Sequence, residues 1–333
     1  MARHVAIVGA TGAVGQEFIR VLEQREFRCE KIAFLASARS AGKTLTFRGK
    51  EHTIQELKED SFAGIDLALF SAGASISRKF GPIAVKAGAV VVDNSSAFRM
   101  DPNTPLVVPE VNPEDAQKHK GIIANPNCST IIMVVPVWPL HKACPIERLV
   151  ISTYQAASGA GYQAMVELEE QTRDMLAGKP VTPRVLPHRI AFNLFSHNSK
   201  IGETGYNEEE VKMVKETRKM FHCDSIQITA TCVRVPVMRA HSESINITFS
   251  KPMTEQRVRE ILSTAPGVRV VDDRVKNYFP MPIESSDQDD VFTGRIRQDI
   301  SQPDGRGIDM FVSGDQLRKG AALNAVQIAE LLN

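Results

Sequence analysis

Apolar and polar positions along this chain follow two different rhythms. In the first half, short apolar runs alternate with amphipathic stretches. Val5–Val8, Lys31–Leu35, Leu67–Phe70, Val90–Val92 and Gly121–Ala124 read as strands. Between them, Gln16–Glu23 carries Phe18, Ile19, Val21 and Leu22 at helical spacing, and Ser77–Ala87 is a second helix. Short continuous apolar strands alternating with helices predict a parallel sheet covered on both faces, a Rossmann-type α/β domain. After residue 145 the strands lengthen and alternate: Arg148–Gln155, Ser225–Val233, Glu243–Phe249, and a shorter one at Val291–Ile296. These predict an antiparallel or mixed sheet in an α+β second domain. Tyr162–Leu176 and Leu317–Leu332 read as helices, and Phe279–Gly307, rich in Pro, Asp and Gly, as surface loop around its short strand. The change of rhythm near residue 145 divides the chain into two domains.

Length agrees with two domains, since 333 residues is about twice the usual domain size of roughly 100–200. A net charge of +1 gives no general reason to bind nucleic acid or an anionic membrane. The longest strongly apolar run, Ile131–Trp138, is far short of the ~20 residues of a membrane helix. Five cysteines with no Cys-x-x-Cys spacing argue against a disulfide framework and a structural zinc, and no metal is expected. No secretory segment precedes Val5, so a reducing cytoplasm is the expected setting.

Chemistry enters at Gly9-Ala10-Thr11-Gly12-Ala13-Val14-Gly15, between the first strand and the first helix. Glycines there let a dinucleotide's pyrophosphate approach backbone N–H groups at a helix N-terminus. The second strand is followed by Ala36-Ser37-Ala38-Arg39-Ser40-Ala41-Gly42-Lys43, which has hydroxyls and two cations but no acid. An acid would bond a ribose 2′-hydroxyl, whereas this composition attracts a 2′-phosphate, so the expected cofactor is NADP. A second centre is Asn125-Pro126-Asn127-Cys128-Ser129-Thr130. Pro126 excludes helix before it and Asn127 is a good N-cap, which puts Cys128 in a first helical turn, where the macrodipole favours thiolate. Cys128 is a nucleophile by that reading, or a small buried apolar residue by the blander one. His241, in the polar stretch Met238–Ser242, is a candidate base, and Arg234, in an apolar strand context, a candidate partner for a carboxylate.

Taken in order, these motifs resemble the aspartate-semialdehyde dehydrogenase family in its bacterial form. The likeness also rests on Asp93-Asn94-Ser95-Ser96-Ala97-Phe98-Arg99, Val108-Pro109-Glu110-Val111-Asn112, Tyr154-Gln155-Ala156-Ala157-Ser158-Gly159, Glu209-Glu210-Val211-Lys212, Arg234-Val235-Pro236-Val237 with His241, and Lys319-Gly320-Ala321-Ala322-Leu323-Asn324. The resemblance implies an NADP-binding domain over 1–127 plus 317–333, with the C-terminal helix returning to it, and a catalytic and dimerisation domain over 128–316. It implies reversible NADPH-dependent reduction of aspartyl phosphate to aspartate semialdehyde, in lysine, threonine and methionine biosynthesis, by a homodimer or dimer of dimers. It implies Cys128 as acyl-carrying nucleophile, Gln155 as its orienting neighbour and His241 as acid/base. Arg99 and Lys212 would hold phosphate, Arg234 the substrate carboxylate, and Glu209 and Asn127 would help place the substrate. Gly9, Thr11, Gly12, Ala13, Val14, Ser37, Arg39, Ser40, Ser158, Gly159 and Gln316 would meet the cofactor. The chain departs from the family at Gln316, where the family usually has Asn, and at Phe195–Lys200, where the family tends to be shorter.

Two other enzyme classes compete. N-acetylglutamyl-phosphate reductase shares the chemistry. A short-chain reductase needs Tyr-x-x-x-Lys, but Tyr154, Tyr162, Tyr206 and Tyr278 are followed four residues later by Ser158, Val166, Glu210 and Pro282. A non-catalytic NADP sensor would lack the nucleophile or its partners, and Cys128, Gln155, Arg234 and His241 are all present.

Overall fold

The computed structural model of the chain describes residues 3–332. They form two compact units, one of residues up to Asn127 together with those from Ala321, the other Cys128–Gly320. In the first unit the strands of the main sheet are β1 (Arg3–Val8), β2 (Cys29–Ala36), β3 (Gln55–Glu56), β4 (Leu67–Phe70), β5 (Val90–Asp93) and β6 (Ile122–Ala124), and Thr44–Phe47 pairs with Lys50–Thr53 in a separate antiparallel hairpin. The main sheet is parallel, in the order β3-β2-β1-β4-β5-β6. Helices α1 (Ala13–Gln24) and α2 (Ala74–Lys86) are the main crossovers. Val5–Val8 and Leu67–Phe70 are wholly buried because a parallel sheet needs apolar cover on both faces. Phe18, Val21 and Leu22 of α1 pack with Phe34 and with Leu323 and Val326 of the C-terminal helix, Leu323–Glu330. A separate cluster holds Leu35, Phe62, Phe70, Phe80 and Ala84.

The second unit contains α3 (Cys128–Ala143), β7 (Ile146–Gln155), α4 (Tyr162–Leu176), β8 (Phe195–Ser196), α5 (Glu208–Phe221), β9 (Gln227–Arg234), β10 (His241–Phe249), α6 (Glu255–Ser263), β11 (Val268–Val270), β12 (Val291–Gln298) and β13 (Gly307–Gly314). Its seven-stranded sheet runs β8-β9-β7-β10-β13-β12-β11. It is mixed: β7 with β9 and β11 with β12 are parallel, the remaining pairs antiparallel. Helix α3 is apolar on all sides and buried from Ser129 to Val137, as a core helix should be. No helix among the described residues is long and apolar enough to cross a membrane.

Three departures from the sequence reading have physical causes. The continuous helix expected over Leu317–Leu332 opens instead as a π-turn, Arg318–Ala322, before the α-helix. The Asp315 carboxylate accepts the amides of Leu317 (2.9 Å) and Arg318 (3.2 Å), and its carbonyl accepts the Gly320 amide (3.0 Å). Those bonds tie 317–320 into the second unit, so the chain re-enters the first at Ala321. Strand β13 begins at Gly307, the last residue of the loop-like Phe279–Gly307, and has no flanking signal of its own. Helix α5 is masked by the polar run Glu208-Glu209-Glu210, yet carries a local mark: the Asn207 side chain accepts the Glu210 amide (3.0 Å), while Glu210 accepts the Asn207 amide (2.9 Å).

Candidate active site

Cys128 is the first residue of α3, directly after Asn127, and is half-buried. The partial positive charge of a helix N-terminus favours a thiolate there. The π-turn presses close: a Cβ on Gly320 would lie 3.0 Å from Cys128 Cβ. Cys232 offers the contrast, since burial raises its thiol pKa well above the usual value.

His241 opens β10 rather than lying in a polar loop, and is fully buried. The Ala156 amide donates to its Nδ1 at 3.0 Å. That bond leaves the neutral ring's proton on Nε2, and Nε2 has no protein partner. Burial, followed by the Arg234 charge, holds His241 well below the ordinary histidine range, so the ring is neutral near pH 7. The preceding residue, Ala240, has φ 68°, a left-handed conformation that L side chains rarely adopt. Its amide donates to Gln316 Oε1 at 2.8 Å, and Gln316 Nε2 donates to Ser158 Oγ. Gln316 therefore supports the turn that delivers His241. Gly159 lies against the imidazole, since a Cβ there would be 2.9 Å from Nε2.

Arg234 ends β9 and is buried. Nη1 donates to the Ala156 carbonyl at 2.7 Å, Nη2 faces His197 Nε2 at 3.0 Å, and Nε has no partner. Burial lowers its pKa, opposed by the negative charge of Cys128 and Glu209. Gln155 ends β7, accepts from Thr153 Oγ1 (3.0 Å) and donates to Glu209 Oε1 (3.2 Å). Lys212, one turn along α5, donates to Glu209 Oε2 at 3.0 Å. Cys128, Gln155, Ser158, Gly159, Glu209, Lys212, Arg234, His241 and Gln316 thus all belong to the second unit, most of them linked by these bonds.

The first unit has its own cavity of about 380 Å³, lined among others by Gly9, Thr11, Gly12, Ser37, Glu56 and Ser71. Gly9 has φ 87°, and a Cβ there would meet the Ser71 carbonyl oxygen at 2.4 Å. Gly15 lets α1 pack on the turn, where a Cβ would sit 2.3 Å from Gly9 O. Gly12 caps α1 with no side chain over the helix end, so its N–H groups can receive a phosphate. The donor set fits a dinucleotide. Ala13, Val14, Arg39 and Ser40 do not line this cavity. Arg99 and Asn127 also belong to the first unit. Arg99 is buried and donates to the carbonyls of Asn125 (2.9 Å) and Asn94 (2.7 Å).

Two family models match the chain: "Semialdehyde dehydrogenase, NAD binding domain" over residues 4–119 and "Semialdehyde dehydrogenase, dimerisation domain" over 137–319. An aspartate-semialdehyde dehydrogenase of Synechocystis sp. is 58% identical over 98% of this chain and 96% of its own length. The chain belongs to the aspartate-semialdehyde dehydrogenase family. The crystal structure of aspartate semialdehyde dehydrogenase II from Vibrio cholerae, complexed with ASA, superposes with TM-score 0.97 at 44% identity, covering 100% of this chain and 98% of that one. The Candida albicans enzyme, solved with NADP, gives TM-score 0.77 at 26% identity, covering 100% and 98%. As a member of this family the chain is an NAD(P)-binding oxidoreductase of amino-acid biosynthesis.

Two residues that the sequence reading did not single out lie among these groups. Glu56 reaches the cavity of the first unit because β3 pairs with the end of β2, Ala36 opposite Glu56. The sequence showed no acid after β2 itself, and the pairing is long-range. Lys58 Nζ lies 3.2 Å from the Glu56 carboxylate and offsets its charge. His197 was noted only as part of a longer loop, although it touches Arg234.

Proposed function

We propose that the chain catalyses the reversible reduction of L-4-aspartyl phosphate to L-aspartate 4-semialdehyde and phosphate, through a thioester on Cys128. The observation that carries this is His241: buried, neutral, with Nδ1 tied to a backbone amide and Nε2–H unpartnered beside Arg234. The Cys128 thiolate attacks the acyl carbon, an S–C bond forms, and the C–O bond to phosphate breaks, with Lys212 offsetting the leaving charge. NADPH, when bound, would supply the hydride for the thioester carbon. His241 Nε2–H then donates to the oxygen where negative charge collects, and the C–S bond breaks to release aldehyde and thiolate. Arg234 meets the substrate α-carboxylate, a planar contact a lysine could not reproduce. Arg99 is a further proposed phosphate ligand.

Glu209 favours aspartyl over N-acetylglutamyl substrate. Its buried carboxylate already accepts from Gln155 and Lys212, and its negative charge suits a substrate's α-ammonium. An acetylated nitrogen has no charge to offer. The test is kcat/KM on aspartate semialdehyde against N-acetylglutamate semialdehyde, expected to differ by at least about 10³-fold. Equal values would overturn the assignment. We also propose a homodimer, or dimer of dimers, formed through the sheet of the second unit, where Tyr154 is exposed and its ring lies tilted against Phe311 with centroids 6.1 Å apart.

A further inference from the structure

Arg234 faces an acceptor that is not an acid. Its Nη2 lies 3.0 Å from His197 Nε2, and an arginine has no lone pair to share, so Nε2 must accept and the His197 proton must sit on Nδ1. Nδ1 lies 3.1 Å from Ser199 Oγ and 3.2 Å from the Ser199 amide nitrogen; a ring that accepts from Arg234 carries its proton on Nδ1, so it donates to the hydroxyl and the amide contact is a close approach, not a hydrogen bond. The same hydroxyl accepts the Glu209 amide at 3.1 Å. The short segment 197–199 therefore joins Arg234 to the first turn of α5, where Glu209 stands. It is held in place from outside the site, because the His197 amide donates to the Cys232 carbonyl at 2.8 Å and extends the β8–β9 pairing.

We propose that His197 is a positioning residue that fixes the Arg234 guanidinium and, through Ser199, sets its spacing to Glu209, so that the two together select a substrate bearing both an α-carboxylate and an α-ammonium. The choice of imidazole has a physical reason. A carboxylate in its place would hold Arg234 as firmly but would neutralise it and compete with the substrate's own carboxylate. A neutral acceptor orients the guanidinium and leaves its full charge for the ligand. The ring stays neutral because burial, with Arg234 and Lys212 nearby, pushes its pKa down to about 4 despite the opposing charge of Glu209.

The proposal rests on the function given above and deepens it. The test is steady-state kinetics of the full-length wild type and three variants, with thermal melts to confirm folding. In His197→Gln the amide oxygen can replace Nε2, and KM for aspartate semialdehyde should stay within about threefold. His197→Leu removes the acceptor and should raise KM roughly tenfold with kcat nearly held, the usual effect of losing a bond to a charged group. His197→Glu should raise KM further still. An unchanged KM in the leucine variant, a glutamine variant as impaired as leucine, or a glutamate variant that binds like wild type would each overturn the proposal. Should the leucine variant fail to fold, Ser199→Ala cuts the same bridge and should raise KM without lowering kcat; an unchanged KM there would overturn it equally. Wild-type turnover of the substrate tests the underlying reaction separately.

Discussion

Gly159→Ala adds one methyl group and aims it at the two most important side chains of the site. The new Cβ would lie 2.8 Å from His241 Cε1, 2.9 Å from its Nε2 and 3.0 Å from Arg234 Nη1. Comfortable contacts between such atoms are roughly 3.5–4.0 Å, so the ring would have to retreat by about 0.6 Å. It has little room to do so, being fully buried and anchored through Nδ1 to Ala156. Gly159 is not among the left-handed glycines, so alanine suits its backbone and the effect is purely steric. Overpacking of this kind costs about 1–3 kcal/mol in stability. Misplacing reacting groups by about 1 Å costs up to about 10²-fold in rate, so kcat/KM should fall roughly 10- to 50-fold. The assay is steady-state kinetics with a thermal melt, beside Gly202→Ala, whose Cβ would meet only the Tyr206 carbonyl oxygen at an ordinary 3.5 Å. Activity within twofold of wild type in Gly159→Ala would refute the close packing of His241.

Glu243 and the cysteines give further checks. Glu243 is fully buried on β10, neither carboxylate oxygen has a protein partner, and burial, then Glu209, raises its pKa well above the ordinary range. The folded state keeps it protonated, whereas the unfolded chain ionises it near pH 4.3, so its contribution is fully present below that pH and lost as pH rises, by up to about 1.4 kcal/mol per unit. Glu243→Gln should therefore gain stability over wild type between pH 5 and pH 8 in urea unfolding; a pH-independent difference would count against it. In brief alkylation of native protein followed by peptide mass mapping, Cys128 should react well before buried Cys232; the reverse order would contradict the helix-terminus reading.

The sequence made some parts legible because their causes are local. The glycine turn is needed wherever a strand, a helix end and a phosphate crowd together, and Pro126 with Asn127 specifies where α3 starts. The seven-residue spacing from Arg234 to His241 also survives, but its setting does not: His241-Ser242-Glu243 looks polar and solvated, yet all three are buried in β10. Polar side chains in a strand interior carry no sequence mark distinguishing a surface from a sheet covered by α3. Glu56 and His197 depend on pairings between distant segments, β3 with β2 and the 197–199 segment with β9 and α5. The π-turn depends on three acceptances by Asp315, which periodicity cannot show.

The central claim is that Cys128 carries the acyl group, and a single-turnover experiment reads it directly. Purified protein is mixed with NADP and aspartate semialdehyde without phosphate, and NADPH formation is followed by absorbance. The account predicts a burst equal to the concentration of active sites that then stops, steady turnover once phosphate is added, and neither in Cys128→Ser. A burst that survives in Cys128→Ser, or turnover indifferent to phosphate, would contradict it.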